Sequence, residues 1–121
     1  MILGIGIDLI EIARVERALA TARFSQRVYS ERERAQIARR GAPTAAGYFA
    51  AKEAVAKALG TGFRGFMLWD IEIVPDENGK PAAILHRGAG ARMGELGGRS
   101  IHISITHTAS HAAAVAVLSS D

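Results

Sequence analysis

The stretch that most constrains this chain is its opening, ILGIGIDLIEIARVERAL, from Ile2 to Leu19. Side chains alternate along a strand, so Ile5, Ile7 and Leu9 share one face while Gly4, Gly6 and Asp8 share the other. One face is bulky and apolar. The other carries almost nothing until it reaches a carboxylate. The pattern predicts a buried strand over 2–7 running into a helix with Ile12, Val15 and Leu19 along one stripe. Glycine weakens a strand, so two on one face predict that another backbone, a helix or a ligand comes close there.

Further along, SERE at 30–33 reads as a capping box, with Ser30 as N-cap and Glu33 at the third helical position. That helix should stop near Gly41, before Pro43. TAAGYFAAKEAVAKALG predicts a long helix with Thr44 as its N-cap and Gly60 just past its end. WDIEIVPDENGKPAAILH predicts two strands around an Asn78-Gly79 turn, with Pro75 and Pro81 fraying the ends. A short helix is expected over 88–96. SIHISITH and AAAVAVLS then read as two closing strands joined tightly through Thr108–Ser110. The expected class is α+β, an antiparallel sheet with helices packed against it, as one domain over 1–121. A chain of 121 residues buries only a modest core, so oligomerisation would help it.

The absence of cysteine excludes a disulfide framework and any thiolate metal site. No apolar run reaches membrane-spanning length, and the N-terminus lacks a basic region followed by a cleavable apolar one. A soluble, cytoplasmic protein is the expectation. Charge is more informative by position than by sum. Residues 11–40 hold eight arginines (14, 17, 23, 27, 32, 34, 39 and 40) against Glu11, Glu16, Glu31 and Glu33, a local +4 where the whole chain carries +3. Such a segment is either a solvated helical face or an attractor for an acidic partner: nucleic acid, anionic lipid, phosphate or an acidic protein.

Three places could carry chemistry. Asp8-x-x-Glu11 fits a helix capping box, and on local pattern alone an N-cap is the plainer reading of Asp8. A cap needs no cleared space, however, so the bare glycine face beside Asp8 narrows the margin between cap and ligand. Glu53 and Lys57, four apart, share a helical face and would ordinarily be an exposed ion pair worth about 0.3–0.5 kcal/mol. Their neighbours Ala50, Ala51, Ala54, Ala56 and Ala58 would let something approach closely. Lys52 lies off that line and reads as surface. The GTG that follows is by itself a weak phosphate-loop signal, and GIGID is weaker still as a nucleotide fingerprint because Leu9 stands where the third glycine would fall. His107 has the strand parity of Ile101, Ile103 and Ile105, so it ends a core-facing row; taken alone it is a hydrogen-bonded strand-end histidine. His107 and His111 straddle a turn with no further ligand near in sequence, which argues against zinc. Together, Asp8 and Glu53 make a pair of oxygen ligands of the kind magnesium takes, with Lys57 one turn away to reach a phosphate. The residues therefore point to a magnesium-dependent phosphoryl-group enzyme.

GIGIDLIEIARV, RFSQRVYSERE, FAAKEAVAKALGTG, WDIEIVPDENGKP and ISITHT occur in this order and at these intervals. Together they closely resemble the small bacterial 4′-phosphopantetheinyl transferases, the holo-acyl-carrier-protein synthases, over nearly the whole chain. The resemblance implies a 4′-phosphopantetheinyl transferase-like fold and a reaction in which a serine of apo acyl carrier protein attacks the β-phosphate of coenzyme A. The 4′-phosphopantetheine group is transferred and 3′,5′-ADP leaves, in support of fatty acid biosynthesis. It implies Mg2+ as cofactor on Asp8 and Glu53, and Lys57 beside the pyrophosphate, these three forming the catalytic set. It also implies coenzyme A contacts at Lys57, Gly60, Gly62 and His107, and docking of the acidic carrier protein on Arg14, Arg23 and Arg27. Either Glu53 or a water of the magnesium would take the serine proton. A homotrimer with active sites between subunits is implied as well. One departure stands out: family members usually carry an arginine just before the phenylalanine of F-x-x-K-E-A, and this chain has Tyr48, which brings no fixed positive charge. Two other classes remain open. One is a basic nucleic-acid-binding module without catalysis; the other is a diphosphate hydrolase that cleaves coenzyme A without a carrier.

Overall fold

A computed structural model describes residues 1–60 and 65–121. Strand β1 spans Ile2–Glu11 and passes directly into helix α1, Ile12–Leu19. Helices α2 (Ala22–Val28), α3 (Glu31–Arg40) and α4 (Ala42–Leu59) follow. A single 3-10 turn at Leu68–Asp70 leads into β2, Ile71–Pro75, which pairs antiparallel with β3, Pro81–Leu85. Helix α5 covers Arg87–Glu95, and β4 (Ser100–His107) and β5 (His111–Ser119) close the chain. The main sheet is antiparallel in the order β1–β5–β4, with β2 and β3 as a separate hairpin. This is the expected α+β arrangement.

Helix α4 is the centre of the molecule. It is buried along nearly its full length and on most sides, as an alanine-rich helix lying between a sheet and other helices must be. Its small residues allow backbones to approach. A Cβ on Gly4 would run into the Ala58 carbonyl oxygen, and one on Gly6 into that of Ala54. The buried residues of β5, Ala112, Ala114, Ala116 and Leu118, are mostly small for the same face. The glycines of β1 thus clear a track for α4, as their spacing predicts.

Several expectations change. β1 is longer than predicted, because pairing with β5 continues through Asp8↔Ala114 to Glu11↔His111. Asp8 therefore stays in the strand; the N-cap of α1 is Glu11, which makes no side-chain cap bond. Nor is β1 buried on both faces. Ile5, Ile7 and Leu9 are 66–68% exposed. They lie in register with Val117, Val115 and Ala113 of β5, which in turn face His102, Ser104 and Thr106 of β4. Helix α4 starts at Ala42 with Gly41 as N-cap, not at Thr44, since proline is tolerated in a first helical turn. The capping box at Ser30 and Glu33, the left-handed Gly60 after α4 and the β2–β3 hairpin all form as expected.

Lys52 is the largest correction. It is fully buried, with its Nζ 2.9 Å from Glu33 Oε1 and bonded to the carbonyls of Leu68 (3.2 Å) and Ile71. Glu33 in turn accepts from Ser30 N and from Ile73 N, each at 2.7 Å. One buried ion pair, with its hydrogen bonds supplied by surrounding backbone, thereby pins α3, α4, the 3-10 turn and β2 together. A buried pair of this kind is tolerable only because its remaining donors and acceptors are satisfied.

Candidate active site

Asp8 projects from β1 and Glu53 from α4 into one cleft of about 480 Å³, which Arg14, Phe24 and Phe49 also line. The Gly4 and Gly6 track is what brings these two elements near enough for that. Burial raises the pKa of Glu53, the neighbouring Asp8 charge raises it further, and Lys57 opposes both. Two carboxylates held in one half-buried cleft repel each other, and a cation relieves that repulsion.

Lys57 does not pair with Glu53. Its Nζ lies 3.3 Å from Asp8 Oδ1 and donates to the Ile7 carbonyl at 2.9 Å. β1 is an outer strand, so Lys57 satisfies a sheet-edge carbonyl while placing a positive charge at the rim of the carboxylate cleft. The donor set fits a hard divalent cation such as magnesium: two carboxylates from rigid elements, with open space for waters and a phosphate-bearing ligand. It does not fit a closed protein cage, and among the described residues no group of three or more His, Cys, Asp or Glu could hold a metal.

His107 lies elsewhere. It ends β4, the opposite outer strand, and is separated from β1 by β5. With Tyr48, Gly47, Thr44 and Arg40 it lines a second cleft of about 260 Å³ that shares no lining residue with the first. Arg23 and Arg27 line neither; they face a third, open groove along α2. Gly60 is exposed at the end of α4, and Gly62 lies outside the described residues. The structure therefore gathers Asp8, Glu53, Lys57 and Arg14, and sets His107 and the pair Arg23 and Arg27 apart.

Sequence reasoning missed Arg40 beside Tyr48 and His107, and it missed the aromatic wall of Phe24 and Phe49, whose rings stack at 6.1 Å. It also missed the Glu33–Lys52 pair. A signal for that pair existed: Lys52 falls on the same helical stripe as Tyr48, Val55 and Leu59, all of them buried.

The family model described as the 4′-phosphopantetheinyl transferase superfamily matches residues 4–116. The chain belongs to that superfamily. Among its relatives is the holo-[acyl-carrier-protein] synthase of Clostridium perfringens, 47% identical over 125 residues and covering 98% of this chain and 94% of the relative. Two solved members of the superfamily superpose closely. The Bacillus anthracis holo-(acyl-carrier-protein) synthase in complex with CoA (3′,5′-ADP) is 37% identical, with a TM-score of 0.83, and the match covers 100% of this chain and 99% of that one. The Helicobacter pylori enzyme in complex with coenzyme A is 33% identical, with a TM-score of 0.84 and coverage of 95% and 99%.

Proposed function

We propose that this protein transfers the 4′-phosphopantetheine group of coenzyme A to a serine of an apo acyl carrier protein, with magnesium, releasing 3′,5′-ADP. The observation that carries this reading is the convergence of Asp8, Glu53 and Lys57 across the β1–α4 contact, in a chain similar to enzymes of that name. Asp8 and Glu53 would hold the magnesium, which when bound supplies charge neutralisation across the pyrophosphate worth several kcal/mol at the transition state. Lys57 donates to a non-bridging phosphoryl oxygen. The serine oxygen forms its bond to the β-phosphorus as the bond to the bridging oxygen breaks and 3′,5′-ADP departs. In this reading Glu53 takes the serine proton. Phe24 and Phe49 keep water from the reacting atoms, and Arg14 steers the acidic carrier to the cleft, with Arg23 and Arg27 in support. The role is cytoplasmic, supplying holo carrier for fatty acid biosynthesis.

We further propose a homotrimer. The bare row of Ile5, Ile7 and Leu9, continued by Val115 and Val117, is an apolar sheet face that other copies of a small chain would cover. A cyclic arrangement through that face turns the β1 edge of one subunit toward the β4 edge of the next. The carboxylate cleft would then meet the neighbour's cleft of Arg40, Tyr48 and His107, and the two together would span coenzyme A. Arg40 supplies there the positive charge that Tyr48 lacks.

Following 3′,5′-ADP release with and without apo carrier protein tests the reaction class. Transfer requires the carrier for every molecule of 3′,5′-ADP released. Release without it identifies a hydrolase, and no release at all removes the catalytic reading.

A further inference from the structure

The third groove, about 660 Å³ and open, is lined by Arg23, Arg27, Arg34 and Arg87, with Trp69 half-buried among them and Glu31 as the acidic residue. Two of these guanidinium groups are held from behind. Arg87 Nε donates to Asp70 Oδ1 at 2.6 Å, and Asp70, nearly buried, is itself fixed by the Met67 N–H at 3.0 Å. Arg34 donates to the Tyr29 carbonyl at 2.5 Å. The Arg87 side chain nevertheless remains 63% exposed, and among the described residues nothing else holds its terminal nitrogens. Its backbone lies at φ 45°, a conformation non-glycine residues seldom adopt. The next residue, Gly88, packs so closely on Gly65 that a Cβ would run into the Gly65 carbonyl oxygen. An arginine kept at a strained position, aimed by a buried carboxylate and presented to solvent, is a preorganised anion-binding group.

Arg23 and Arg27 add two like charges one helical turn apart on α2, with no acidic partner among the described residues. That arrangement disfavours an isolated helix and suits an external acid. The groove and the active-site cleft meet at α2 from its two sides: Phe24 lines the cleft, and its chain neighbour Arg23 lines the groove.

We propose that Arg34, Trp69 and Arg87 form a second docking element for the acidic carrier protein, on the far side of α2 from the reacting centre. The inference rests on the transferase reading above. A carrier whose serine enters the Asp8–Glu53 cleft lies against α2 and extends into the groove. There the fixed guanidinium groups meet its carboxylates and Trp69 meets an apolar side chain beside them. Charge complementarity selects this occupant, since four arginines and a tryptophan line one open groove of about 660 Å³, far more room than a single phosphate fills.

The test is steady-state transfer kinetics with Arg34→Gln, Trp69→Ala and Arg87→Gln, each checked for an unchanged melting transition, at low and moderate salt. Arg34→Gln and Trp69→Ala keep the question open if loss of the Arg87–Asp70 pair impairs folding. Expected is a rise of about tenfold in KM for the carrier, with kcat and the KM for coenzyme A unchanged, and in the two arginine variants a weaker salt dependence of kcat/KM. A carrier KM that stays at the wild-type value in the folded variants overturns the docking element while leaving the transferase intact. If the unaltered protein modifies no carrier, the transferase reading falls and the docking element with it. Salt-dependent binding of a short RNA that is lost in these variants, while carrier kinetics stay unchanged, assigns the groove to nucleic acid instead.

Discussion

Lys57 reaches across from α4 to β1, with its Nζ 3.3 Å from Asp8 Oδ1 and 2.9 Å from the Ile7 carbonyl. Its side chain is 55% exposed, so the pair contributes at most about 1 kcal/mol to the fold. Its significance is positional. It fixes a cation at the mouth of a cleft where Asp8 and Glu53 converge, and that convergence depends on how close α4 lies to the strand.

Gly6 controls that approach. A valine there would collide with the backbone of α4 at Ala54, which has no flexible end to move aside. Gly6→Val is expected to cost about 3 kcal/mol in denaturant unfolding and to abolish transfer even where a folded fraction survives. A variant with wild-type stability and turnover would show that the glycines serve some other purpose.

Lys52→Met leaves the Glu33 carboxylate buried without its cation, with a cost of about 3–5 kcal/mol. Adding Glu33→Gln removes the stranded charge, so the double variant should recover much of that loss. Chemical denaturation of the two single variants and the double one reads this directly. Additive losses would contradict the pairing.

Glu72 gives the expected pH dependence. Hydrogen bonds from Arg32, with a further one from His86, hold its pKa down at about 2. A folded-state pKa below the unfolded one means that the unfolded chain takes up the proton first. The stabilisation is therefore complete above the ordinary value of 4.5 and is lost as pH falls toward about 2. Since the Arg32 partner is 65% exposed and screened, the contribution is about 1–2 kcal/mol. Acid unfolding of Glu72→Gln should lack that portion of the slope; an unchanged slope would contradict it.

The apolar face of β1 yields a prediction about assembly. Ile7→Asp places a charge at the centre of the exposed row and is expected to convert the proposed trimer to monomer in sedimentation, with the circular dichroism of the fold retained. Transfer should fall with the trimer. An active monomer would show that one chain holds the whole site.

The glycine track was legible because steric clearance is a local property: alternation assigns the face, and only a close backbone needs it bare. Periodicity does not say what covers the opposite face, so the exposure of Ile5, Ile7 and Leu9 was not. Asp8-x-x-Glu11 matched a cap, yet pairing with β5 extended the strand through it, a tertiary override of a local motif. Lys52 read as surface, although its stripe with Tyr48, Val55 and Leu59 marked a buried position, because the partner that makes a buried lysine tolerable, Glu33, lies on another helix. Helix α2 escaped notice because seven residues are too few for a clear apolar stripe. Asp8, Glu53 and Lys57 could be named in advance, whereas the division of the remaining candidates among separate clefts depends on which strands form the sheet edges.

On the proposed function, the β1–α4 contact builds a magnesium site that carries the transfer. Its most direct test is intact-mass analysis of apo acyl carrier protein incubated with coenzyme A and this protein, with and without magnesium, alongside Asp8→Asn and Glu53→Gln. A gain of one phosphopantetheine is expected for the unaltered protein with magnesium. Without the metal, or in either variant, the rate should fall by at least about a hundredfold. An undiminished mass gain from folded Asp8→Asn and Glu53→Gln would contradict it.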